Sequence, residues 1–179
     1  DPIEIDSKTC FFEWETILIT GKLDKLKKTK VTKSYRKVTK SHKKVTKVIS
    51  TLEKRYPNRK ICLLPSGRLG LYLSLKYLFK KGDEIIFSSM SFPLYVKIAK
   101  QLELKVRLVD VSNIDLNIDV NKIEEQINRN TKGILVTHLF GNPCDIYKIK
   151  NICEKKNLKL IEDCAQSFNS KINDIETGN

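Results

Sequence analysis

From Ile61 onward the chain alternates short apolar runs with stretches of helical periodicity, and this alternation constrains its fold more than any other feature. Residues 61–64, 84–88, 104–109, 133–137 and 158–161 read as strands by length and apolar content. The segments between them read as helices. Leu71, Leu75 and Leu78 give the first its apolar face, and a cationic Lys80-Lys81-Gly82-Asp83 stretch closes it, as helix C-termini prefer. Residues 93–102 form the next, Asp119 is positioned to cap one carrying Ile123 and Ile127, and residues 146–156 turn Ile146, Ile149 and Cys153 inward. Strands alternating with helices at this spacing predict an α/β fold: three layers, with a mostly parallel sheet and helices on both faces.

The first 60 residues have a different texture. At 179 residues the chain has room for one domain plus an arm. We place the arm at 1–60, with a Lys-rich repeat over 22–50, and the domain at 61–179. The net charge of +13 belongs to the arm, since residues 22–60 hold 16 Lys/Arg against Asp24 and Glu53. Within it Lys-Val-Thr-Lys-Ser begins at Lys30 and again at Lys37, and Lys-Val-Thr-Lys begins at Lys44, a period of seven. The helical seam would join Val31, Val38 and Val45 to Ser34 and Ser41, too polar for a coiled coil. A solvated basic helix is the plainer expectation, and a polyanion-binding arm the alternative. Tyr35 is the one aromatic among the lysines of the repeat, so nucleic-acid recognition is not expected. Residues 11–20 are β-prone and are expected to form a short strand or hairpin arm. No apolar run approaches the roughly 20 residues of a membrane span. No secretory signal is visible, and a first residue of Asp leads us to expect a start inside a longer product. The five scattered cysteines lack C-x-x-C spacing, and His42 and His138 do not complete a zinc pattern; reduced thiols and a cytoplasmic protein are expected.

Chemistry gathers where the strands end. Ser66-Gly67 opens a helix, where unpaired amides and the dipole favour an anion and glycine lets a phosphate approach; an ordinary Ser cap explains the same residues. Phe92 precedes a helix-starting Pro93, fit either to lie over a flat ring or to pack on its own helix. His138 follows the fourth strand and is more often structural than catalytic. The fifth run ends in Glu162-Asp163 with Gln166 three residues on. A buried strand has no use for acids, so these mark its carboxyl end, where open α/β sheets bind ligands. No G-x-G-x-x-G, no G-x-x-x-x-G-K-[ST] and no G-x-S-x-G occurs, which disfavours dinucleotide, NTP and serine-hydrolase sites.

Five motifs, taken in order, resemble the large domain of the DegT/DnrJ-type sugar aminotransferases, pyridoxal-phosphate enzymes of fold type I. They are Ser66-Gly67-Arg68, Gly82-Asp83-Glu84-Ile85-Ile86, Ser91-Phe92, His138-Leu139-Phe140-Gly141-Asn142-Pro143-Cys144-Asp145 and Ile161-Glu162-Asp163-Cys164-Ala165-Gln166-Ser167. The resemblance implies pyridoxal 5′-phosphate as cofactor. Ser66, Gly67 and Arg68 would hold its phosphate, Phe92 would stack on the ring, Asp163 would pair with the ring nitrogen and Gln166 with the ring hydroxyl. Arg68 stands where the family more often has Thr. The resemblance further implies a nucleotide-linked keto sugar as substrate, glutamate as amino donor and a cytoplasmic homodimer. Lyase and dehydratase relatives share the fold. The family's Schiff-base lysine follows a Ser-Phe motif downstream of the glycine matching Gly178, so it is expected beyond Asn179. No lysine here is nominated for catalysis, and no metal ligand is assigned. The 179 residues are therefore expected to be about the first half of an enzyme and inactive alone. A truncated non-catalytic relative of the same fold is the alternative.

Overall fold

The computed structural model describes residues 9–13, 16–19, 42–57 and 59–178. Strands β1 (Thr9–Glu13) and β2 (Thr16–Ile19) are followed by helix α1 (His42–Arg55), β3 (Lys60–Leu63) and α2 (Gly67–Leu78). Then come β4 (Glu84–Ser88), α3 (Leu94–Gln101), β5 (Lys105–Val109), α4 (Val120–Gln126) and β6 (Thr131–Thr137). A 3₁₀ turn (Leu139–Gly141), α5 (Ile146–Lys156), β7 (Lys159–Asp163) and a two-stranded ribbon, β8 (Lys171–Ile172) with β9 (Ile175–Glu176), complete the order.

One seven-stranded sheet runs β3-β2-β1-β7-β6-β4-β5. Pairings β1–β7, β7–β6, β6–β4 and β4–β5 are parallel, whereas β2 is antiparallel to both neighbours. β3 therefore points the same way as the parallel set, and the carboxyl ends of β3, β4, β6 and β7 share one edge. This is the mostly parallel α/β sheet expected.

Alternation along the strands divides the core in two. Ile85, Phe87, Leu135 and Ile161 pack with Leu71 and Leu75 of α2 and with Tyr95, Ile98 and Ala99 of α3. Ile86, Ile134, Val136 and Leu160 pack on the other face with Ile123 of α4 and with Ile146, Ile149, Ile152 and Cys153 of α5. Helices thus cover both faces. Local chemistry sets their limits. Asp119 Oδ1 accepts from Asn121 N at 3.1 Å, and Asp145 Oδ1 accepts from Lys148 N at 3.2 Å, capping α4 and α5. Asn157 ends α5 in the left-handed region (φ 52°).

Two expectations are corrected. The β-prone segment near the N-terminus is a hairpin, as expected, but not an arm: β1 and β2 lie inside the sheet, between β7 and β3. The fifth strand extends to Asp163, so Glu162 is a fully buried acid within it rather than beyond its end. Residues 22–41 of the Lys-rich repeat lie outside the described residues; its third copy falls on α1.

Candidate functional site

The parity that splits the core also sorts the strand-end residues. Ile161 faces α2 and α3, so Asp163, two residues on, takes the same face, and Leu160 and Glu162 take the other. Ser66 opens α2 and Phe92 precedes α3, both on the Asp163 side. The three lie at the carboxyl edge of the sheet, on one face. β3 and β7 stand three strand spacings apart, about 14 Å, which a ring with a phosphate tail and a hydrogen bond at each end can bridge.

Ser66 is the N-cap of α2, its Oγ accepting from Leu69 N at 3.3 Å. The hydroxyl proton remains to donate to an anion. Gly67 is half-buried beside it, and Arg68 is exposed. Phe92 is 60% exposed and meets Tyr95 edge-on at 6.2 Å, so it makes the local packing contact and still offers ring surface. Asp163 Oδ1 accepts from Ala165 N at 2.9 Å. Burial pushes this carboxyl up to about 6, and the Ala165 N–H offsets only part of that. Among the described residues no cation relieves it. Gln166 is exposed and accepts from Phe140 N at 3.0 Å through Oε1, which leaves its NH₂ as the group available to an acceptor. That bond helps hold Phe140 at φ 55°, in the left-handed region, within the 3₁₀ turn that follows β6.

These features suit a ligand with an anion at one end and a flat cationic ring at the other. Residues 23–179 match the family described as DegT/DnrJ/EryC1/StrS aminotransferases. The chain belongs to that family. It is 36% identical over 108 residues to GDP-4-keto-6-deoxy-D-mannose 3-dehydratase of Yersinia pseudotuberculosis, covering 60% of this chain and 28% of that protein. It is also 36% identical over 107 residues to GDP-perosamine synthase of Escherichia coli O157:H7, covering 59% and 29% respectively. The chain thus spans under a third of the length of these relatives. Among solved structures, the E. coli GDP-4-keto-6-deoxy-D-mannose-3-dehydratase with bound hydrated PLP superposes with a TM-score of 0.69 at 28% identity, over 75% of this chain and 36% of that one. A GDP-4-keto-6-deoxymannose-3-dehydratase with a trapped PLP-glutamate geminal diamine gives 0.59 at 31% identity, over 64% and 31%. The family is pyridoxal-phosphate-dependent, and the fold here is that of these PLP-bound neighbours.

The opposite face of the same edge carries a second cluster in this family member. Fully buried His138 sits with Nε2 3.4 Å from Glu162 Oε2, which also accepts from Gly178 N at 3.1 Å. His138 Nδ1 accepts from Cys144 N at 3.1 Å, so the imidazole proton belongs on Nε2. Asn117, also buried, fixes the loop between by accepting from Leu139 N and donating to Asn142 O, both at 3.0 Å. His138, Glu162 and Cys164 bring possible metal ligands within 4.8 Å of one another. The tautomer argues against a metal: a ligating imidazole ordinarily donates through its other nitrogen, and this one accepts. Glu162 Oε1 lacks a partner among the described residues and borders a cavity of about 10 Å³, room for one water. Neither Asn117 nor this network was legible beforehand, because apart from the nearby His138–Cys144 contact its partners are remote in sequence.

Proposed function

We propose that these residues seat the cofactor of a pyridoxal-phosphate-dependent enzyme acting on a nucleotide-linked keto sugar. The observation that carries this is the unpaired, burial-raised Asp163 carboxylate on the same face and edge as the Ser66-Gly67 helix opening. Three features support this fit: the Asp163 carboxylate has no cation partner among the described residues, the helix opening favours a dianion, and Phe92 offers exposed ring surface at the same edge. Ser66 and Gly67 bind the phosphate, with Arg68 adding charge from an exposed position. Asp163 keeps a proton on the ring nitrogen, since an adjacent carboxylate stabilises the cation. Phe92 covers the ring and excludes water from that side, and Gln166 donates its NH₂ to the ring oxygen. The cofactor, when bound, supplies an electron sink for bonds at the substrate's amino-bearing carbon.

Amino transfer from glutamate is the reaction we favour. Dehydration is the second reading, favoured by the 36% identity to a 3-dehydratase, and the residues present here serve either. We place the whole enzyme in the cytoplasm as a homodimer; the exposed Met90, Phe92, Phe140 and Phe168 around this edge are apolar surface a second subunit would cover. Among the described residues we assign no covalent lysine to the site, and we propose that residues 1–179 alone bind the cofactor without turning it over.

Pyridoxine 5′-phosphate is the suitable probe, because it lacks the aldehyde that would condense with the chain's many lysines. We expect saturable binding, weakened about tenfold or more by Asp163→Asn or by Ser66→Ala, in keeping with lost charge-assisted hydrogen bonds of roughly 1.5–3 kcal/mol. Binding that ignores both substitutions refutes the proposal, as does its absence.

A further inference from the structure

Strand β6, which flanks β7 on the side away from β3 and Ser66, brings a pair of hydroxyls to the same edge. Thr137 ends β6 and is the register partner of Asp163. Leu135, two residues earlier, packs with α2 and α3, so Thr137 takes Asp163's face of the sheet. Its Oγ1 donates to Oη of Tyr95, in the first turn of α3, at 3.5 Å. The Tyr95 ring meets Phe87 edge-on at 6.1 Å and Phe92 at 6.2 Å, so it joins the strand ends to the proposed ring cover. Thr137 and Tyr95 are both buried. A contact of 3.5 Å is long for two hydroxyls, and among the described residues neither side chain makes another hydrogen bond. The Tyr95 proton is therefore uncommitted, and a buried hydroxyl in that state gains from any acceptor brought to it.

We propose that Tyr95 is a binding residue of this site, donating its hydroxyl proton to a ring-borne oxygen of the ligand, and that Thr137 is the positioning residue that aims it. The inference rests on the cofactor reading above and deepens it. A ring held at Asp163 through its nitrogen, with its phosphate arm toward Ser66, would turn its opposite edge to β6. In pyridoxal phosphate and in pyridoxine 5′-phosphate that edge carries the ring hydroxyl. Gln166 reaches the same oxygen from the loop after β7, so donors from two separate elements would fix the ring's rotation about the line between Asp163 and Ser66.

Changes that keep each side chain's shape test the pair. In the full chain, Tyr95→Phe and Thr137→Val should each weaken pyridoxine 5′-phosphate binding about three- to tenfold, the range of one hydrogen bond. Thr137→Ser keeps the hydroxyl and should bind within about twofold of the unsubstituted chain. The 3-deoxy analogue lacks the ring hydroxyl, so Tyr95→Phe and the unsubstituted chain should bind it equally. A role confined to the fold would instead weaken both ligands alike. Equal weakening of the two ligands by Tyr95→Phe overturns this inference, as does binding by Thr137→Val without loss. Binding that depends on Asp163 and Ser66 but ignores Tyr95→Phe overturns it alone and leaves the cofactor reading standing. Absence of binding by the unsubstituted chain overturns the cofactor reading and this inference together.

Discussion

Replacing Asp163 by Asn should stabilise the unliganded protein while ruining the proposed site. The carboxyl is raised from an ordinary 3.8 to about 6 because burial penalises its charge and only the Ala165 N–H compensates. Two units at roughly 1.4 kcal/mol each amount to about 3 kcal/mol, and residual solvent access makes about 2–3 kcal/mol the better expectation. The sign follows from the folded pKa lying above the unfolded one. The folded state holds the proton more tightly, so this residue's contribution is fully present below about pH 4. It declines between about pH 4 and 6 and stays lost above. Asn has the same shape, carries no charge and can keep accepting from Ala165 N. Urea unfolding should therefore find Asp163→Asn more stable by about 2–3 kcal/mol at pH 8 and nearly equal to wild type at pH 4. Equal stability at pH 8, or a wild type more stable throughout, would refute the reasoning. A gain in stability coupled to lost ligand affinity is what a site holding an unpaired charge in readiness should show.

Three further perturbations read other parts of the fold. Gly133→Ala would drive a Cβ into the ring of Phe79 and within 2.9 Å of Lys159 O, so a loss of about 2 kcal/mol or more is expected by urea unfolding. Glu162→Ala strands His138 Nε2–H and Gly178 N–H and should cost roughly 2–4 kcal/mol, whereas Glu162→Gln keeps an acceptor for them and should stay within about 1 kcal/mol of wild type in the same assay. Glu84 is held below the usual carboxylate range first by its hydrogen bonds from Arg107, with Thr131 and Asn128 assisting. Its stabilisation is present above the unfolded pKa and is lost as pH falls through the folded one, so Glu84→Gln should flatten the acid limb of stability measured from pH 6 to pH 3.

What was legible in the sequence was local. Strands β3 to β7 and helices α2 to α5 were readable because their patterning repeats within a few residues, and Asp119 was readable as a cap from its own position. The place of the hairpin was not. Residues 11–20 show β-propensity, yet nothing in them says that β1 lies against β7, about 150 residues away, and β2 against β3. Pairing over that separation is set by whole-sheet topology. Ser66, Phe92 and Asp163 could be named one by one as strand-end or helix-start residues, but only the shared face established by core parity brings them together.

Glu162 and Asp163 show why parity matters more than residue type. Adjacent in the chain and alike in chemistry, they go to opposite faces of β7. Glu162 finds two N–H donors, from His138 and from Gly178, and becomes part of the fold. Asp163 finds one, from Ala165, too few to offset its burial. A carboxylate in that position gains from any cation brought within hydrogen-bond reach, and in the proposed function the helix opening at Ser66 would hold the other end of such a molecule. The strand thus divides its two acids between holding the structure and, in the proposed function, meeting the cofactor, and a register slip of one residue would exchange the faces they take.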